Sequence, residues 1–330
     1  MWDFGPFRAA CVRGFVNISS LQKTIRLGTH DVPGIWRYML PEDVLYFRVD
    51  PEAGSSCFNC PQVKAQGFHP SVRCCAFYPR IPNFLLGLAL LDPATCDPVT
   101  AYVRDGFVIP EGSQVAPQQM RQSLEQVAHY PAEPKVICSF LDQPSKQCRL
   151  YAYRNGVCST FFCQHDYGNS SVLFWDSLQD LVAQIETALS QWALQEVGFD
   201  LDAYFSRFDE LALRLSDCNQ EGGPAWSEWA RQLLFQDYFG REVELFKACA
   251  QLVFDHRERL FDIASTFPLR QTEGYDRALR ALEKEHHSAH LIEESLPEGV
   301  PVSVEAIWYG VKLNYRNLQL AKIEAANKKT

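Results

Sequence analysis

The sequence predicts an α+β protein in which a cysteine-rich, loop-rich part with short strands precedes a mainly α-helical part. Pro, Gly, Asn and Cys are dense from residue 51 to about residue 170, where long hydrophobic periods are few. After residue 171, apolar side chains recur at the spacing of an amphipathic helix. We therefore expect a strand and turn segment over 1–50 that packs on the rest, a cysteine-cluster domain over 51–170 and a helical domain over 171–330.

The expected elements follow in chain order. Short apolar runs between Gly and Pro favour strands in the first segment, with 44–49 as the clearest run. Short strands are also expected around the cysteines, at 135–137 and 159–162. Helical periods in the last segment, separated by Gly and Pro, cover 174–193, 201–215, 226–262, 275–294 and 304–325.

Composition and charge limit the classes of function. The chain has 330 residues, 47% of them hydrophobic, which is enough for a sizeable core. Residues 1–173 hold 15 basic and 14 acidic side chains, and residues 174–330 hold 16 and 26, so the net charge of −9 lies in the second half. Nucleic acid is therefore an unsuitable partner, whereas a protein or peptide partner suits the acidic helices.

The hydrophobic runs are too short for a membrane span. The longest, 84–91, is far below the roughly 18 apolar residues that a span needs. No basic start leads into an apolar stretch at the N-terminus, so no export signal is visible. We expect a cytoplasmic protein without a membrane partner, in which cysteines bind metal or act in catalysis more often than they form disulfides.

Eight of the twelve cysteines fall in two clusters. The clusters read Cys57-x2-Cys60-x13-Cys74-Cys75 and Cys138-x9-Cys148-x9-Cys158-x4-Cys163. A Cys-x2-Cys pair lets two sulfurs converge on one ion, and thiolates from separate segments complete a tetrahedral site or hold an iron–sulfur cluster. These eight cysteines are therefore the predicted metal ligands, and Cys96 is a further candidate.

Basic side chains accompany the clustered cysteines. Four thiolates around a divalent ion leave a net charge of −2, which nearby cations can offset. The candidates for this role in cofactor binding are Arg73, Arg80, Lys146, Arg149 and Arg154. A separate pair, His286 and His290, is spaced for chelation on one helical turn, but the sequence favours a solvated polar face because no second helix offers a matching motif.

The second cluster resembles a known family. The text Cys138-Ser-Phe-Leu141, Gln147-Cys-Arg-Leu-Tyr151 and Cys158-Ser-Thr-Phe161 is similar to that of YkgJ-type cysteine-cluster proteins, which are zinc- or iron-chelating. The resemblance covers about 55–165, and Cys57, Cys60, Cys74 and Cys75 match the upstream cysteine element of the family. Two features depart from the family pattern. The upstream spacing is thirteen residues instead of three, and Asn155 replaces a usual proline.

The resemblance implies an iron–sulfur cluster, most simply 4Fe-4S, with zinc as the alternative. Because the family includes flagellin lysine N-methylases, it also implies S-adenosylmethionine and a methyltransferase-like transferase, with an oxidoreductase as another enzyme class. The same cysteines also suit two non-catalytic proteins, a zinc-stabilised protein-interaction module and an electron-transfer protein. No G-x-G-x-x-G loop supports a Rossmann-type cofactor site.

Overall fold

Helices dominate the part of the protein that the structure describes, and the strands found there are few, short and antiparallel. The computed structural model describes residues 21–53, 75, 77–116, 137–162, 164–216, 225–270 and 303–328. Within these residues the α+β class is confirmed. Whether 51–170 forms a separate cysteine-cluster domain stays a prediction, as do the other two domain boundaries.

Two small hairpins provide the described strands. In the first, β1 (Thr24–Leu27) pairs antiparallel with β2 (His30–Pro33). Gly28 takes a φ of +63° in the turn between them, a conformation that favours glycine. In the second hairpin, β3 (Val108–Ile109) pairs with β4 (Gly112–Ser113). Neither hairpin is large enough to be stable alone, so each depends on the helices that cover it.

The described helices are α1 (Trp36–Met39), α2 (Glu42–Leu45), α3 (Asn83–Leu91), α4 (Cys96–Arg104), α5 (Gly156–Thr160), α6 (Asn169–Glu196), α7 (Leu201–Ser216), α8 (Glu228–Phe235), α9 (Glu242–Asp255), α10 (Leu260–Thr266) and α11 (Val304–Asn327). Single 3₁₀ turns lie at Tyr151–Tyr153, Gln236–Tyr238 and Arg257–Arg259. Within the described part of the chain, no helix is both long enough and apolar enough to cross a membrane.

The long helix α6 lies at the centre of the packing and contacts α3, α5, α9, α10 and α11. Its apolar stripe, which includes Leu178, Leu181, Val182 and Ile185, is fully buried. The buried hydrophobic side chains form one cluster that draws on segments from Leu21 to Leu318. The periodicity of the sequence therefore identified the main buried face of the fold.

Helices α3 and α9 approach each other closely at Gly87. A Cβ atom at Gly87 would overlap the carbonyl oxygen of Phe246 and lie 2.6 Å from the Cβ of Ala250. Only glycine therefore lets the two helices approach this closely. The apolar run 84–91 is a buried helix, because every residue from Asn83 to Leu90 is shielded from water.

The last described helix, α11, binds residues 43–50. The ring of Tyr315 stacks on Phe47 with a centroid separation of 3.9 Å, and its hydroxyl accepts a hydrogen bond of 2.9 Å from the Arg48 N–H. The Trp308 indole donates to the Asp43 carboxylate over 3.0 Å. Helix α11 also contacts α6, and its side chains Val311 and Leu318 are buried. Residues about 270 apart in sequence are thus held together.

Three expectations for local structure are wrong. Residues 44–49 are not a strand, because Pro41 precedes the short helix α2 and the chain then continues irregularly. Residues 159–162 are not a strand either, since 156–160 form α5. The helical pattern 226–262 divides into α8, α9 and α10, and Gln236 and Gly240 have positive φ where the first two separate. Residues 135, 136 and 275–294 lie outside the described part.

Candidate metal centre

Cys75 and Cys138 come from the two separate cysteine clusters and lie next to each other. The N–H of Cys138 donates a hydrogen bond of 2.7 Å to the carbonyl oxygen of Cys75. The two residues are 63 positions apart, so this contact is tertiary and not a product of local sequence. It brings one thiol of the first cluster to the start of the second.

A tight turn places Cys148 beside Cys138. Leu141 and Cys148 form an isolated antiparallel bridge, and the Arg149 N–H donates to the Phe140 carbonyl over 2.8 Å. The Asp142 carboxylate closes the turn by accepting hydrogen bonds from the Ser145 N–H at 3.0 Å and from the Arg149 guanidinium at 2.7 Å. The two cysteines therefore lie on the two arms of one hairpin-like turn.

Cys158 lies in the first turns of α5, and Asn155 fixes its position. The Asn155 side chain is buried and caps the helix, because its carbonyl oxygen accepts the Cys158 N–H over 3.0 Å. Its amide group donates to the Arg80 carbonyl over 2.9 Å. Gly156 lets the helix pack closely on α6, since a Cβ there would lie 3.0 Å from the Val182 side chain. Asn155 thus has a structural role as a helix cap.

Four thiols, those of Cys75, Cys138, Cys148 and Cys158, are near enough to affect one another's ionisation. Burial raises the pKa of Cys158 well above its ordinary value, and the charges of Cys138, Cys148 and Cys75 raise this pKa further. Burial likewise raises the pKa of Cys138 to about 11, with a contribution from Cys148. All four are thiols in this structure. Each would release its proton on binding a metal, which compensates the charge.

Arg154, one of the predicted basic residues, lies near enough to the cysteines for its charge to affect their pKa values. Its positive charge lowers the pKa of Cys148 and of Cys158, opposing the effect of burial. The guanidinium donates to the carbonyls of Tyr151, Cys158 and Asp31 over 3.0, 3.2 and 3.2 Å. It also stacks on the Tyr151 ring at 3.8 Å. These contacts hold one full positive charge beside the cysteine group.

The other predicted basic residues differ from Arg154. Arg149 forms an ion pair of 2.7 Å with Asp142, so its charge is already matched by a carboxylate. Arg80 contributes its backbone carbonyl to Asn155. Lys146 takes a φ of +58° in the turn, and its ammonium group donates to the Gln143 side chain. Cys96 is disulfide-bonded, so it has no free thiol with which to bind a metal.

Part of the predicted site lies beyond the residues that the structure describes. This applies to Cys57, Cys60, Cys74, Cys163, Arg73, His286 and His290. Among the described residues, no group of three or more His, Cys, Asp and Glu side chains is already arranged to hold a metal ion. The four described thiols are therefore near one another, but their sulfur atoms would have to move closer together to bind an ion.

Sequence reasoning missed two polar residues that position this region. Asn155 was recognised only as a departure from proline, although an Asn followed by a short helix is a standard capping signal. Glu186 of α6 is buried, and its Oε2 accepts the Gly156 N–H over 3.1 Å. Glu186 falls on the same helical face as Val182 and Leu189, and a carboxylate on such an apolar face is the sequence signal that identifies it. No protein-family model, curated protein or solved structure matches the chain.

Proposed function

We propose that this protein binds a metal centre through Cys75, Cys138, Cys148 and Cys158, and that the centre is an iron–sulfur cluster. One observation carries the proposal: cysteines from different places along the chain lie together, as the hydrogen bond of 2.7 Å from the Cys138 N–H to the Cys75 carbonyl shows. The charges of Cys75, Cys138 and Cys148 accordingly raise the pKa of Cys158. Isolated buried cysteines do not gather in this way, whereas metal ligands from separated segments must.

The donor set fits the proposed group. Thiolates are the usual ligands of iron–sulfur clusters, and four of them bind either 4Fe-4S or 2Fe-2S. The Arg154 charge lies where it offsets the negative charge that the thiolates would carry. In this proposal the cluster is of the YkgJ type, and Cys57, Cys60, Cys74 and Cys163 supply further ligands or a second centre. Arg73 and Arg80 then complete the basic surroundings.

Zinc is the competing occupant, and the number of described thiols favours it as well. Four thiolates make a closed tetrahedral zinc site, which stabilises a fold and performs no reaction. In that case the acidic helices would serve as a binding surface for a protein partner. An iron–sulfur centre would allow electron transfer or, as the family resemblance implies, methyl transfer from S-adenosylmethionine to a lysine side chain.

Metal analysis tests the proposal directly. Protein purified without oxygen should contain iron and acid-labile sulfide and should absorb in the visible range. Cys158→Ser should lose most of the iron, whereas Cys249→Ala should retain it, because Cys249 is a buried thiol of α9 and not one of the four. Circular dichroism of both variants would show that the fold persists.

The outcomes separate the candidates. About two zinc ions per chain without iron would support the interaction module and overturn the cluster. Neither metal, in protein that is folded and reduced, would overturn the metal centre itself. If iron is found, loss of S-adenosylmethionine with a lysine-containing peptide would distinguish a transferase from an electron carrier.

A further inference from the structure

A pocket remote in sequence from the cysteine clusters is lined by three arginines. It has a volume of about 180 Å³ and lies between α1 and the turn that leads into α10. Arg37 comes from α1, and Arg257 and Arg259 come from the turn. Tyr38 and Phe261 add aromatic walls. The pocket contains none of the proposed metal ligands.

The local sequence explains why these arginines face the pocket. Helix α1 buries Trp36 and Met39, which leaves Arg37 on the outer side of its single turn. Leu260 is fully buried directly after the 3₁₀ turn and anchors it, while Arg259 is exposed. Buried side chains thus fix the backbone next to Arg37 and next to Arg259, which both line the pocket.

The three arginines differ in how their charges are matched. The Arg257 guanidinium lies 3.5 Å from the Glu258 carboxylate, donates to the Phe254 carbonyl over 3.0 Å and packs over the Phe254 ring. Within the described residues, the side chains of Arg37 and Arg259 have neither an ion pair nor a hydrogen bond. Two guanidinium groups therefore remain available to a ligand.

We infer that this pocket binds the phosphoryl group of a small molecule. Guanidinium groups match the geometry of phosphate oxygens, and Arg is preferred where several hydrogen bonds must be made to one oxyanion. A phosphate dianion offers three terminal oxygens, which suits the guanidinium donors of Arg37 and Arg259. The aromatic walls suit an apolar group attached to the phosphate.

Two carboxylates also line the pocket: that of Glu258 lies 3.5 Å from the Arg257 guanidinium, whereas that of Asp262 opposes the ligand and sharpens the test. Asp262 also lines the pocket and has no ion pair in the described part of the chain. Its negative charge would repel an anion, so its removal should tighten binding. Arginine and aspartate variants are thus expected to act in opposite directions. A general effect on folding would not produce this sign change.

The experiment is a calorimetric titration of the full chain with inorganic phosphate and with phenyl phosphate at low salt. Arg37→Gln and Arg259→Gln should each weaken binding by about ten-fold, since each removes charge-assisted hydrogen bonds. Asp262→Asn should tighten binding by roughly three-fold. Arg316→Gln is the control, because Arg316 is an exposed arginine of α11 that does not line the pocket.

The results that would overturn the inference are specific. These are equal affinity of the wild type and the two arginine variants, weaker binding by Asp262→Asn, or no binding at millimolar phosphate. Equal binding of acetate would show a general carboxylate site and would exclude the phosphoryl assignment. Tighter binding of phenyl phosphate than of phosphate would identify an aromatic phosphate monoester as the ligand class, whereas equal affinity would identify free phosphate. Each outcome is independent of the metal content.

Discussion

The helical part and the cysteine-bearing part of this protein are stabilised in different ways. Helices α6, α9 and α11 contact their neighbours through continuous apolar faces. Residues 137–162 form turns, one short helix and few backbone ladders. Phe140, Leu150 and Tyr153 anchor them in the same core, and polar contacts of Asp142, Arg154 and Asn155 fix the turns. Apolar packing tolerates small adjustments in a regular helix, whereas a capped turn depends on individual hydrogen bonds.

The largest expected effect lies where the two parts meet, at Glu186. Burial raises the pKa of this carboxyl group from 4.5 to about 8, and its Oε1 has no hydrogen-bond partner. The unfolded chain ionises above pH 4.5 while the folded protein stays protonated, so the free energy of unfolding should fall as the pH rises from 4.5 to 8. At roughly 1.4 kcal/mol per pH unit, the loss is on the order of 5 kcal/mol.

Glu186→Gln should remove most of this pH dependence, because the amide stays neutral. Urea denaturation at pH 4, 6 and 8 measures the effect, and the variant should be the more stable protein at pH 8. Glu196→Gln changes an exposed residue of the same helix and should leave the wild-type profile intact. If the free energy of unfolding of Glu186→Gln varied with pH as in the wild type, Glu186 would not be a neutral acid in the folded protein.

The next largest effect should come from the close approach of α3 to α9. Gly87→Ala introduces a methyl group onto the backbone of Phe246 and should lower the free energy of unfolding by about 1–3 kcal/mol. This is opposite to the gain of about 1 kcal/mol expected for alanine in an open helix. Gly310→Ala in α11 tests that gain, because a Cβ there has no atom within 4 Å. Thermal unfolding of both variants should give shifts of opposite sign.

A smaller effect is expected in the cysteine-bearing part. Asn155→Ala removes the α5 cap and the contact with the Arg80 carbonyl, and it should cost about 1–2 kcal/mol. It should also lower metal retention, since the cap positions Cys158. Ser303→Ala removes the cap of α11 and is a matched control for stability without an effect on metal. Equal metal retention by both variants would show that the cap does not organise the thiols.

The sequence predicted the regular part of the fold better than the site. Periodic residues such as Leu178, Leu181 and Ile185 located α6, because amphipathic spacing depends only on local sequence. Clustering singled out Cys138, Cys148 and Cys158, but it could not show that the Cys75 carbonyl accepts from Cys138. The β propensity of Thr and Phe also led to a predicted strand at 159–162. The structure has a helix at 156–160 instead, because the cap by the buried Asn155 overrides that propensity.

The contact of α11 with residues 43–50 has a consequence for proteolysis. A single cut between Arg270 and Ser303 would separate α11 from the rest of the polypeptide. Yet α11 would still be bound by the Phe47 stack, by the Asp43 and Arg48 hydrogen bonds and by the apolar surface of α6. We expect the two fragments to migrate together under native conditions and to separate only in denaturant. The folded protein should thus stay assembled even when its chain has been cut.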